Sequence, residues 1–65
     1  MKAFEIVRIL KRNGWSEKHC EGSHHQFEHK ETREKRTFAF HDEREEVGRV
    51  KQKQLEKDFK LKFKR

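Results

Sequence analysis

The chain has 65 residues, a net charge of +6, and 46% charged against 29% hydrophobic residues. A domain this short buries only about 60% of the surface its unfolded chain exposes, which excludes a large enclosed pocket beside a core and favours a shallow site suited to a polymer. A charged fraction far above the roughly 25% usual in globular domains leans toward disorder, but six Phe and one Trp offer enough aromatic surface for a thin core. One folded domain over residues 1–65 is therefore expected.

The basic balance points to phosphate backbones, whose condensed counterions are released as Lys and Arg neutralise them. Nucleic acid is thus the first partner to consider. Cys20 is the sole cysteine and cannot form an internal disulfide, which suits a reducing cytosol, so a cytoplasmic location is expected. The segment from Met1 to Glu5 lacks the apolar run of a secretory signal. No apolar run approaches 18 residues, so no membrane-spanning helix is expected.

Residues 2–13 are predicted to form a helix, because Ala3, Ile6, Val7 and Leu10 fall at helical spacing and Lys11 and Arg12 suit the negative end of its dipole. Asn13-Gly14 is a stop signal, with Gly14 free to turn left-handed and Trp15 positioned to fold back on Leu10. Residues 15–20 read as a first strand of poor alternation. Glu21-Gly22 reads as a tight turn and residues 23–29 as a second strand. There Phe27 faces the core, with His25 and His29 on its side, while His24, Gln26 and Glu28 face away.

Residues 30–35 form a charged connector. Residues 36–41 are predicted to be a third strand with Phe38 and Phe40 inward, which turns Thr37, Ala39 and His41 outward and sets His41 on the same open face as His24. An acidic loop over residues 42–46 precedes a second, strongly basic helix over residues 47–57, whose apolar positions Val47, Val50 and Leu55 align weakly. Phe59, Leu61 and Phe63 alternate with Lys60, Lys62 and Lys64, a period-2 pattern that predicts an extra C-terminal strand at a sheet edge; the competing reading extends the second helix to the C-terminus. Such an edge is also a candidate surface for pairing with another chain. The expected fold class is α+β, in the order α-β-β-β-α.

The stretch Gly22-Ser23-His24-His25-Gln26-Phe27 resembles the Gly-Ser-His motif of the HicA toxins, RNA-cleaving partners in toxin–antitoxin pairs. The surroundings are similar too. A short helix ends in Asn-Gly and an aromatic residue at Asn13-Gly14-Trp15, and Gly22 follows seven residues after Trp15. A third strand ends in a histidine, His41, and a glycine, Gly48, opens the second helix. The resemblance spans about residues 4–57. It implies a fold like a double-stranded-RNA-binding domain, with two helices on one face of a three-stranded antiparallel sheet. It also implies metal-independent endoribonuclease activity on mRNA, no cofactor, and neutralisation by a HicB-like antitoxin. By the same resemblance His24 is the catalytic residue and Gly22 the turn residue that presents it, with Ser23 beside it. Two departures stand out. His19 occupies a position where the family often has Arg, and Lys53 and Gln54 occupy helix positions that usually face the core.

The residue chemistry agrees with this reading. Cleaving RNA without a metal needs a base for the ribose 2′-hydroxyl and cations for the charge that develops on phosphorus. Imidazole as a side-chain type suits proton transfer near neutral pH, which makes His24 the candidate, and His41 is a candidate second proton carrier or phosphate binder. Lys18, His19, Lys30, Arg33 and Arg36 are candidates for gripping RNA phosphates, as is Lys35. His25, on the core side, is expected to be structural. Pairing of His24 with His25, or of Cys20 with His24, suggests a metal, but adjacent strand residues point to opposite faces and no spacing matches a zinc template. Cys20 beside His19 fails as a nucleophile for the same reason. The alternative to catalysis is an RNA-binding module of the same fold that cuts nothing.

Overall fold

The computed structural model describes residues 1–63 and orders them as α1 (Ala3–Arg12), β1 (Trp15–Glu21), β2 (His24–His29), β3 (Lys35–Ala39) and α2 (Arg49–Phe59). The strands form one antiparallel sheet in the order β1-β2-β3. The α+β class and the α-β-β-β-α order are as the sequence implied.

Helix α1 forms because its apolar residues make one stripe, and Ala3, Ile6 and Leu10 are completely buried. Its first amides, which have no partner within a helix, are met by other groups. The Ala3 amide donates to the Glu45 carbonyl and the Phe4 amide to the Glu43 carbonyl, both at 2.9 Å. The Lys2 amide donates to Glu5 Oε1 at 2.7 Å. The acidic loop over residues 42–46 is thus docked on the positive end of the α1 dipole, where negative charge is favourable. Glu46 also accepts from the Met1 ammonium at 2.7 Å, a bond that holds its carboxyl below the usual carboxylate range.

At the other end of α1, Gly14 takes φ +93°, and a Cβ there would meet His29 Nε2 at 2.9 Å. His29 Nε2 lies 3.0 Å from the Asn13 carbonyl, and its ring meets Trp15 edge-on at 5.1 Å. Glycine is needed here for both conformation and space. We expect Gly14→Ala to cost about 2 kcal/mol from left-handed strain alone. Equilibrium urea unfolding checks this; a loss below about 0.5 kcal/mol, the range of a neutral surface change, would contradict the packing described.

Trp15, Phe27, Phe38 and Phe40 carry the sheet side of the core, and Val47, Leu55, Phe59 and Phe63 close it. Edge-on contacts of Phe59 with Trp15 at 4.8 Å and with Phe27 at 5.9 Å tie α2 to the sheet. Val47 is buried although it precedes the helix, whereas Val50, inside the helix, is 85% exposed.

The expected C-terminal strand does not form among the described residues; Lys64, the last residue of that alternating run, lies outside them. Helix α2 instead continues to Phe59, and Lys60 ends it in the left-handed region at φ 57°. The Leu61 amide then donates to the Glu56 carbonyl at 3.1 Å, the 6→1 bond of a Schellman turn. The Phe63 amide donates to Glu56 Oε2 at 2.8 Å, which returns Phe63 to the core. With no strand there, the edge-pairing role considered for it falls away.

Candidate functional site

The turn between β1 and β2 sets the site. Gly22 has φ +62°, and nothing lies within 4 Å of the position its Cβ would take. Conformation, not crowding, is therefore what glycine supplies here. The Ser23 carbonyl accepts from the Phe40 amide at 2.9 Å, so β3 anchors the end of the turn. His24 follows as the first residue of β2 and is exposed, while Phe27, three positions on and so on the opposite face, is completely buried. The His24 imidazole is thus held outward on the face that the helices leave bare, as alternation predicted. Its rung partners are Glu21 on β1 and Ala39 on β3.

Because Gly22 is required only for its φ, Gly22→Asn should keep the turn and Gly22→Ala should strain it by about 1–2 kcal/mol. The two variants, compared by thermal melting and RNA cleavage, separate turn geometry from a need for bare backbone beside substrate. Equal loss of cleavage in both would point to the second.

The remaining predicted residues are dispersed. Lys18 and His19 are exposed on β1, and His19 Nε2 stands 3.8 Å from Glu21 Oε1. Lys30 is exposed in the turn after β2, its amide bonded to the Gly14 carbonyl at 2.9 Å. Arg33 has φ 65° and pairs with Glu28 at 3.3 Å. Arg36 is engaged within the protein. It lies opposite Phe27 on the core side, its Nε donates to the Asp58 carbonyl at 3.0 Å, and its Nη2 meets Glu34 at 3.2 Å. A cation at a helix C-terminus is favourable, so Arg36 ties β3 to the end of α2. Glu34 is held below the usual carboxylate range, chiefly by its bond to Lys60, with Thr32 and Arg36 adding to the effect.

His41 is not where alternation put it. Strand β3 ends at Ala39, so alternation no longer governs the chain at His41. Its amide is held by Glu45 Oε1 at 2.8 Å. It lines a cleft of about 490 Å³ beside α1, with His25, Phe40, Phe4, Arg8 and Lys11 among its neighbours there. The fold therefore groups His41 with His25 and not with His24.

His25 is built into the structure, as its core-side position suggested. Its ring stacks on Phe40 at 3.8 Å, with Nδ1 3.2 Å from Glu17 Oε2 and Nε2 3.2 Å from the Phe40 carbonyl. One residue that the sequence reading passed over is Lys51. Its Nζ donates to the Ala39 carbonyl at 2.6 Å after crossing the Phe38 ring. That carbonyl belongs to the rung His24 shares, so an ammonium stands at the sheet edge of the His24 rung. Nothing in the sequence sets Lys51 apart from the other lysines of α2, because the contact depends on how helix and strand dock.

No helix among the described residues is long and apolar enough to cross a membrane. No curated protein and no solved structure matches the chain. A family model described as the HicA toxin of bacterial toxin–antitoxin matches residues 4–61, which takes in α1 from its second residue, all three strands, the Gly22-Ser23-His24 turn and α2. The chain belongs to the HicA toxin family.

Proposed function

We propose that this toxin is a metal-independent endoribonuclease that cleaves mRNA with His24 as general acid or base, and that a HicB-like antitoxin neutralises it in the cytoplasm. The observation that carries the reading is the exposed His24 imidazole, which follows the Gly22 turn and makes no hydrogen bond within the protein among the described residues. It is free to meet a substrate hydroxyl.

The chemistry follows from the ribose. Neutral His24 takes the proton of a 2′-hydroxyl, and the oxygen attacks the adjacent phosphorus. The bond from phosphorus to the 5′-oxygen breaks, and that oxygen takes a proton from the imidazolium or from water. The products are a 2′,3′-cyclic phosphate and a 5′-hydroxyl, and the need for a 2′-hydroxyl restricts the reaction to RNA. Preorganised cations stabilise the charge on phosphorus, and Lys51, held at the Ala39 carbonyl on the sheet edge, is one candidate. Lys18 and Lys30 are exposed and placed to hold flanking phosphates, and His19 and Arg33 are available at the cost of their pairings with Glu21 and Glu28. Arg36 is the least available of these cations, because the Asp58 and Lys35 carbonyls and Glu34 already engage its guanidinium. Ser23 and Gly22 position the imidazole. His41 beside α1 is left as a phosphate contact rather than a second proton carrier for His24.

The test is incubation of RNA with purified protein in EDTA. Cleavage leaving cyclic phosphate ends is expected, and DNA should remain intact. Binding with no cleavage would instead indicate an RNA-binding module. RNA affinity should also fall linearly with log salt, by about 0.7 log unit per phosphate neutralised on a single strand; a flat salt dependence would argue against backbone contacts.

A further inference from the structure

Strict alternation along β1 would put Glu17 and Cys20 on opposite faces of the sheet, since they stand three positions apart. The register prevents this. Glu17 pairs with Phe27 and His19 with Gln26, which leaves Lys18 as an extra residue between them. A bulge of this kind re-aims side chains and recurs next to functional sites. Here it turns Glu17 and Cys20 to the same side as His25, which pairs with Cys20 across the ladder. Cys20 Sγ stands 4.0 Å from His25 Nε2, and Glu17 Oε2 stands 3.2 Å from Nδ1. One ligand atom from each of the three lies within 4.8 Å of the others. Glu17 and His25 also line the cleft beside α1, so the group opens to solvent.

We propose that Glu17, Cys20 and His25 form a binding site for a soft divalent transition-metal ion of the zinc class. A thiolate, an imidazole and a carboxylate are the three donor types that tetrahedral zinc accepts, and three protein ligands leave a fourth position for water. Metal–ligand distances of about 2.0–2.3 Å set donors about 3.3–3.7 Å apart in a tetrahedron. The widest of the present separations, up to 4.8 Å, needs a contraction of about 1–1.5 Å, which rotamer changes of the exposed Glu17 and Cys20 side chains can supply. His25 is the fixed member, held by stacking on Phe40. In the metal-free protein the Cys20 thiol donates to the Gly22 carbonyl at 3.5 Å. Binding exchanges that proton for the metal and releases it to solvent. A hard ion such as magnesium is excluded by the thiolate and the low count of oxygen donors. The site lies on the core side of the hairpin, with His24 facing the other way, and it does not depend on the nuclease proposal.

Cobalt is a suitable probe because a thiolate ligand and tetrahedral geometry both mark its spectrum. The full chain, kept reduced and free of chelator, is titrated with Co²⁺. The expected result is one equivalent bound, with a thiolate-to-cobalt charge-transfer band and strong d–d bands, both bleached by Zn²⁺. Cys20→Ser should abolish the charge-transfer band. Glu17→Gln should weaken binding by at least the ~10–100-fold that losing even an outer-shell partner costs. Both exposed residues can be changed without opening the core, whereas His25→Gln risks the fold. His24→Ala should bind as tightly as the parent. Absence of the charge-transfer band, or equal affinity in Glu17→Gln and the parent, would overturn the site. So would loss of binding in His24→Ala, or a metal-dependent dimer in sedimentation, which would place the ion between chains. None of these readouts uses RNA, so cleavage in EDTA can succeed or fail independently.

Discussion

Replacing His24 by Ala is expected to lower RNA cleavage by about 10²–10⁴-fold, the usual contribution of a positioned proton-transfer group, and to abolish toxicity on expression. The fold should hardly notice. The ring is exposed, no hydrogen bond within the described residues depends on it, and the Ser23 carbonyl that anchors the turn is backbone. A surface change of this kind shifts stability by about 0.5 kcal/mol at most. Cleavage by matched amounts of both proteins, together with their melting curves, tests the two halves at once. A variant that melts early would mean the imidazole is structural. A variant that folds and still cleaves would move the chemistry elsewhere, and the cleft holding His25, His41, Arg8 and Lys11 would be the place to look.

His25→Ala makes the contrast with its neighbour informative. One residue further along β2, the ring is half-buried, stacked on Phe40 and bonded to Glu17. Its loss should register in stability rather than in chemistry alone. The two histidines differ in sequence only by position, and the period of the strand decides which one meets solvent.

That period is why so much of the site was legible. Phe27 fixed the phase of β2, and the phase fixed His24, His25 and His29 together. The Asn13-Gly14-Trp15 stop was equally readable, because a helix end, a left-handed glycine and a buried aromatic leave few alternatives. The misreadings arose where the period broke or where two periods fitted the same residues. The first strand alternated poorly because Lys18 is a bulge, and a bulge has no composition signal strong enough to show in one sequence. The position of His41 was extrapolated from β3, which stops two residues earlier. Arg36 stood out by its charge alone, and its bond to the Asp58 carbonyl was not visible in the sequence. Long-range contacts of that kind belong to the docking of elements, not to any local pattern.

The C-terminal segment is the sharpest case of two periods in conflict, and it carries the largest stability effect. Phe59, Leu61 and Phe63 alternate like a strand, but Leu55, Phe59 and Phe63 also recur at every fourth residue, like a helix face. The fold uses the second relation: Leu55 and Phe59 face the sheet from α2, and Phe63 reaches the same core after the turn at Lys60. Phe59→Ala is therefore expected to cost about 3–5 kcal/mol, the range for removing a buried Phe, because the ring is 1% exposed and meets both Trp15 and Phe27. That is about the whole stability a core this small supplies, so the variant should be largely unfolded at room temperature by circular dichroism. An edge strand, with Phe59 resting on a sheet margin, would lose far less. Val50→Ala provides the control inside the same helix: Val50 is 85% exposed, and Ala is the better helix former, so stability should hold or rise slightly. If Phe59→Ala instead melted like the parent, α2 would not be docked through Phe59, and the ammonium of Lys51, which the same docking brings to the His24 rung, would lose its position as well.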